Sequence, residues 1–425
     1  MTMRERKVST VAELVGATAD ANIRHIVTSV DLAELPTIRL SPGQELSASD
    51  GSVALRFAPG QDGIQLSANN RVEGLELVTN PDRRAIFNDT GVESLGRLAL
   101  HNLTVTGVVR LLVRGRVRGG HIDAQNIDIL AADAREYEER PSGYGVEVVP
   151  GAFTVWNRHD DPTITITADL TGLSAGRAGA PVRGSGIFVS GNGDKGGRIV
   201  VRRLETRAVY SEGGIAAGTP DRISGGVFVV HGAFVDLVRN HGPVTTYGPN
   251  DMVLDNWGTV DRWIADDKVT SFGPSGIGFV NFGVIERLEV KAPIETFGQG
   301  ARGFNVYTGT VNSAEFDRIV THADGAVGIQ ISQPVGEISV RRGIETYGGM
   351  GDSLVKGVVV KLAATALSIK PGGSARQIEI AGGLRAHGEG VDPIELHGAV
   401  RSLHISESPY GGGTGNSGDL GGNSE

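Results

Sequence analysis

Along the second half of the chain, apolar and polar positions alternate in runs of three to six residues, each closed by a glycine-rich corner. A period of two over so few residues marks short half-buried strands. The runs recur. Val244-Thr-Thr-Tyr-Gly248, Val269-Thr-Ser-Phe-Gly273, Ile294-Glu-Thr-Phe-Gly298, Ile319-Val-Thr-His322 and Ile344-Glu-Thr-Tyr-Gly348 start 25 residues apart, and Leu384-Arg-Ala-His-Gly388 follows after 40. A second strand keeps the same step in Val253-Leu-Asp-Asn-Trp257, Gly278-Phe-Val-Asn-Phe282, Gly303-Phe-Asn-Val-Tyr307 and Gly328-Ile-Gln-Ile-Ser332. A third has the form apolar-x-x-apolar-x-apolar, as in Ile285-Glu-Arg-Leu-Glu-Val290 and Val335-Gly-Glu-Ile-Ser-Val340.

Strands this short cannot bury an apolar face singly, but coils stacked on one another can. Residues 25 apart then pair as parallel neighbours and form columns. Helical repeats would need a 3.6-residue period, and propeller blades would need regularly placed hairpin turns; neither pattern is present. The predicted fold is all-β: a right-handed parallel β-helix of about 25-residue coils. The first half carries similar units less regularly, for example Gly145-Val-Glu-Val148, Gly186-Ile-Phe-Val189 and Gly226-Val-Phe-Val229, with insertions near 130–145 and 155–185. In solenoids such insertions collect on one face. Thr10-Val-Ala-Glu13 reads as a capping box opening a short helix, so residues 1–44 are predicted to cap the N-terminal end. A single solenoid domain follows over 45–406, and the glycine-rich stretch 407–425 is expected to be a disordered tail.

Glycine is 63 of 425 residues, which fits a turn-dense solenoid. Cysteine is absent, excluding disulfides, thiolate metal sites and cysteine nucleophiles. A formal net charge of -9 argues against nucleic-acid and anionic-membrane partners, both of which need a basic footprint. No apolar stretch is long enough for a signal or a membrane span, so a cytoplasmic location is expected, with export by another route left open.

The coils resemble the right-handed β-helix superfamily of pectate lyases, polygalacturonases and phage tailspikes over residues 45–405. The Ile-x-Thr-aromatic-Gly corners look like the passenger repeats of bacterial autotransporters. The resemblance is architectural and implies a carbohydrate-active protein. It transfers no catalytic residue: there is no Asn-Thr-Asp strand, and Asp160-Asp161 and Asp266-Asp267 lack the partnering Gly-His-Gly and Arg-Ile-Lys segments.

Column logic supplies the candidates. With Leu254, Phe279, Phe304 and Ile329 facing the core, the columns Asp255/Val280/Asn305/Gln330 and Trp257/Phe282/Tyr307/Ser332 face outward. Aromatic rings beside carboxylates and amides suit a saccharide, whose apolar ring face stacks while polar groups take its hydroxyls. Coverage of this ladder by another segment or subunit is the plainer alternative. Asp251 and Asp255 are candidates for a glycosidase carboxylate pair, and His322, interrupting an aromatic column, for proton transfer or simple stacking. Arg302 breaks an apolar column (Met252/Ile277/Arg302/Val327), as functional or strained sites often do. Trp257, Phe282, Asn305, Tyr307 and Gln330 are the expected substrate contacts. No metal or other cofactor is expected. The reading is a protein that cleaves or rearranges a saccharide in a groove; the rival is a non-catalytic binding or structural protein, for instance a homo-oligomer burying its aromatic ladder.

Overall fold

The computed structural model describes residues 4–49, 51, 53–355 and 357–407; the tail predicted over 407–425 lies outside them beyond Glu407. The chain is nearly all β and forms two long parallel sheets, of 26 and 15 strands. In the regular half it visits them in strict rotation. Asp251–Asn256 lies in the short sheet, Thr259–Ala265 and Val269–Ser271 lie in the long one, and Ile277–Asn281 returns to the short sheet beside the first strand. Leu254 pairs with Phe279, Phe279 with Phe304, and Phe304 with Ile329, so the columns read from the repeat are real neighbours. Parallel sheets of many strands are what a parallel β-helix requires.

A continuous core of buried aliphatic and aromatic side chains runs from Val8 to Ile380 between the sheets. Two backbone requirements explain much of the glycine in the repeat. At Gly278, Gly303 and Gly328 a Cβ would fall 2.3, 2.3 and 2.6 Å from the Cγ2 of Ile294, Ile319 and Ile344, so the strand approaches the opposite wall too closely for any side chain. At the corner before the same strand, Asn250, Ser275, Gly300 and Gly325 all take φ between 55° and 70°, a left-handed position that Asn and Gly tolerate best.

Buried amides tie successive coils together: Asn256 Nδ2 donates to Asn281 Oδ1 at 2.8 Å, both residues being fully buried. At the N-terminal end the helix Val11–Ala19 is capped by Thr10, whose hydroxyl accepts from Glu13 N at 3.2 Å. Glu13 Oε2 in turn accepts from Ser9 N at 2.7 Å, and Leu14 and Ala17 join the core. The stretch 155–185 departs from the expected insertion: Thr165–Ala175 is an eleven-residue strand of the long sheet. Two antiparallel hairpins stand outside the coil, Ser142–Gly143 with Val146–Val148, and Met350–Val355 with Val358–Ala363. Among the described residues, no helix is long and apolar enough to cross a membrane.

Candidate functional site

The outer face of the short sheet gathers the features that a packed solenoid does not need. One column runs along it from Arg39 through Arg110, Phe188, Asp255 and Gln330 to Glu395. Its side chains point away from the main core, yet from Arg110 to Ser368 all of them are buried. The hairpins explain why. The hairpin around Tyr144 and the segment before Ile223 lie over the middle of the sheet, and the hairpin Met350–Ala363 covers the next coils, forming a second apolar cluster with Phe188, Phe228, Trp257, Val280 and Tyr307.

The aromatic ladder expected to meet a saccharide is therefore largely roofed. Tyr144 stacks on Phe282 at 4.6 Å and meets Trp257 edge-on at 5.1 Å; Trp257 and Tyr307 are 3% and 7% exposed. The roof sits tightly, because a Cβ at Gly143 would lie 2.4 Å from the His231 ring and 2.8 Å from that of Trp257. The cavity between the two hairpins, walled by Tyr144, Phe282 and Tyr307, has a volume of about 70 Å³, room for about two waters at ~30 Å³ each.

The four expected catalytic residues do not converge. Asp251 and Asp255 lie four residues apart on one strand, about 13 Å of backbone at ~3.3 Å per residue, outside the 5–9.5 Å carboxylate spacing of glycosidases. Asp251 is fully buried and fully engaged: its Oδ1 accepts from Ser224 Oγ at 2.5 Å, and its Oδ2 from the amides of Gly248 and Gly213 at 2.7 and 3.2 Å. Burial nevertheless raises its pKa to about 6 against those three donors. Asp255 is sealed beneath the aromatic roof with neither carboxyl oxygen hydrogen-bonded, and burial pushes it well above the carboxylate range, the neighbouring Trp257 indole opposing only weakly. Burial likewise pushes His231, under the same roof, below its ordinary value.

Arg302 is not turned out to solvent. In the column it shares, alternation breaks just after the first inward residue: Val253 and Leu254 both join the main core, while Met252 and Ile277 face the outer cluster. Arg302, in that outer column, is buried, donating from Nη2 to Ser353 Oγ of the second hairpin at 2.9 Å and from Nη1 to Gly300 O at 3.2 Å. His322 belongs to the long sheet instead, stacked at 4.5 Å on Phe297 and at 5.5 Å on Tyr347, with Nε2 2.8 Å from Glu295 Oε1.

Of the five expected contact residues, two share a cleft. Tyr307 and Gln330 line a cleft of about 360 Å³ between the short sheet and the second hairpin, with Ser332, Gln333 and Lys370 around them. Two amide atoms lack partners: Gln330 Oε1, on a side chain lining the cleft, and, one coil away, Asn305 Nδ2; the other ends of the two amides meet, Gln330 Nε2 donating to Asn305 Oδ1 at 3.5 Å, and the side chains are 3% and 0% exposed. An unpaired buried polar atom costs about 1–3 kcal/mol, which a ligand's hydroxyls would offset. The sequence signal for this cleft is two amides at successive positions of one outward column, Asn305 and Gln330, whereas its roof comes from the 40-residue step after Ile344. A more polar cavity, of about 260 Å³, lies on the same face near Arg110 and Glu139, the latter from the insertion expected near 130–145. The signal for it was Arg110 inside the apolar run Val108–Val113.

Among the described residues, no group of three or more His, Asp or Glu is arranged to hold a metal ion. Comparison of the chain with protein-family models, curated proteins and solved structures returned no match. The fold and the site together define a parallel β-sheet repeat protein with a hairpin-roofed outer face.

Proposed function

We propose that the protein binds an oligo- or polysaccharide in the cleft under the hairpin Met350–Ala363, with Tyr307 supplying the ring that stacks on a sugar and Gln330 and Asn305 taking its hydroxyls. The observation that carries this reading is the unpartnered buried Gln330 Oε1, whose side chain lines a cleft of about 360 Å³ together with Tyr307, with the unpartnered Asn305 Nδ2 one coil away. That volume is near the lower end of the range for small-molecule sites. The same proposal takes the coil as right-handed, as nearly all parallel crossovers are. It takes residues 45–406 as one β-helix domain of the pectate-lyase-like class, with the helix Val11–Ala19 closing the N-terminal end of the core.

A second reading, in which the bound saccharide is also cleaved, rests on Asp255. A carboxyl whose pKa burial among aromatic rings raises well above the ordinary range is displaced in the direction a general acid needs, and the Tyr144 hairpin would have to lift for it to act. Screening the purified protein against a panel of polysaccharides, by calorimetry and by assays for new reducing ends and unsaturated products, tests both. Binding that Gln330→Ala and Tyr307→Ala weaken about tenfold or more, in variants that remain folded, supports the first reading; binding indifferent to both changes contradicts it. Turnover that survives Asp255→Asn removes the second.

A further inference from the structure

Near the N-terminal end of the same face, three arginines converge on one carboxylate. Glu139, from the segment that precedes the first hairpin, accepts from Arg158 at 2.6 Å, from Arg110 at 3.1 Å, and from Arg114. Arg84 borders the same cavity, paired with Asp62. Counting Arg84, Arg110, Arg114 and Arg158 against Glu139, Asp62 and the lining Asp89 leaves one positive charge in excess. Asp89 spends one oxygen on the amide of Gly91 at 2.8 Å. Burial alone would raise Glu139, but the three guanidinium groups hold it below its ordinary value.

Arg110 is the anomaly. It stands in the outward column of the short sheet, its side chain is 4% exposed, its guanidinium packs 4.4 Å from the centre of the Tyr137 ring, and its Nη1 has no partner. A buried guanidinium with one arm idle beside a polar cavity of about 260 Å³ is a donor awaiting an acceptor. An ion-pair clip that merely fastened the 133–141 segment would need neither that volume nor the surplus charge. Glu139 already occupies three arginines with two oxygens, so a further acceptor must bring oxygens of its own. A tetrahedral oxyanion has enough to reach Arg110 Nη1 and Arg114 together while Glu139 stays in place, and the guanidinium fork matches it.

We propose that this cavity is an oxyanion site for a phosphate-class group, either free inorganic phosphate or sulfate or a phosphomonoester on a larger ligand, with Arg110 Nη1 as its central donor and Glu139 as the carboxylate that limits its affinity. The site shares no residue with the saccharide cleft and stands or falls independently of it.

Titration of the full chain with inorganic phosphate, sulfate, glucose 6-phosphate and acetate, read by calorimetry and by the fluorescence of Trp156, under whose ring the Arg158 guanidinium lies at 4.6 Å, tests the assignment. Saturable phosphate or sulfate binding is expected, with acetate at least about tenfold weaker. Glu139→Gln, by removing a charge some 3 Å from the donors, should tighten phosphate about tenfold or more. Arg110→Gln should abolish binding. If it does not fold, Arg114→Gln at a half-exposed position should weaken binding about fivefold with an unchanged melting temperature. Tighter binding of the ester than of the free ion identifies the group as part of a larger ligand; equal binding identifies the free ion. Absence of binding to both the native chain and Glu139→Gln at 10 mM ligand, on the order of ten-thousandfold above a micromolar site, or acetate binding as tightly as phosphate, overturns the proposal.

Discussion

The molecule carries two aromatic ladders built on the same 25-residue step, and they have opposite fates. Trp257, Phe282 and Tyr307 climb the outer face of the short sheet and are roofed by Tyr144. Tyr247, Phe272, Phe297, His322, Tyr347 and His387 climb the long sheet with nothing over them; Phe272 and Tyr347 are 45% and 46% exposed. The open ladder is the more regular one, its rings 4.5–5.5 Å apart and within 12° of parallel. For that reason it makes a poor sugar platform: each ring face is already taken by the next ring, leaving only edges for solvent. The roofed ladder is irregular, and beside it lie the cleft and the unpaired amides. Regularity in a solenoid marks self-satisfaction; function is better sought where an insertion interrupts it.

The contrast should appear first in stability. Trp257→Ala removes a buried ring from the outer cluster and is expected to cost about 3–5 kcal/mol, whereas Phe272→Ala on the open ladder should cost about 1 kcal/mol or less. Denaturant midpoints compare the two, and equal losses would dissolve the distinction. The pH dependence comes next. Asp251 has a folded pKa of about 6 against an ordinary 3.8, so its neutral form is the one the fold favours. The stability it contributes is full below pH 3.8 and is lost as pH rises toward 6, by about 3 kcal/mol at 1.36 kcal/mol per unit. Asp251→Asn removes that loss, and the melting temperature of the variant minus that of the native chain should climb between pH 4 and pH 7; a flat difference would contradict the burial argument.

A smaller effect is expected at the roof. Gly143→Ala drives a methyl into the His231 and Trp257 rings and should cost about 1–3 kcal/mol by overpacking. Hydrogen exchange should quicken in residues 142–148 while the strands below stay protected. The smallest belongs to His322, half-exposed between Phe297 and Tyr347 and paired with Glu295. His322→Phe keeps the stack and should change stability by about 0.5 kcal/mol or less.

Much of the architecture was legible in the sequence because a parallel solenoid writes its register directly: Leu254, Phe279, Phe304 and Ile329 are neighbours in space for the same reason that they are 25 apart in the chain. Side-chain parity was legible too, and Asp255, Asn305 and Gln330 do lie on the outer face. What parity cannot convey is cover. The residues that bury Trp257 come from around Tyr144, more than a hundred positions earlier, in a segment with no repeat. Parity also fails where backbone geometry changes locally, as at Val253 and Leu254, whose adjacent side chains both join the main core. That break is what turned Arg302 from an apparent outlier into a buried strut for the second hairpin. The arginine cavity was hidden for a related reason, since Glu139 is unremarkable in sequence until Arg110, Arg114 and Arg158 meet around it.

The most direct test of the assignment of function to the roofed face is a hydrogen-exchange footprint of the protein saturated with whichever saccharide the panel identifies. Protection confined to the strand Val327–Ile331 and the hairpin Met350–Ala363 is predicted. Protection instead of Val269–Ser271, Ile294–Thr296 and Ile344–Thr346, the strands leading into the open ladder, would contradict it.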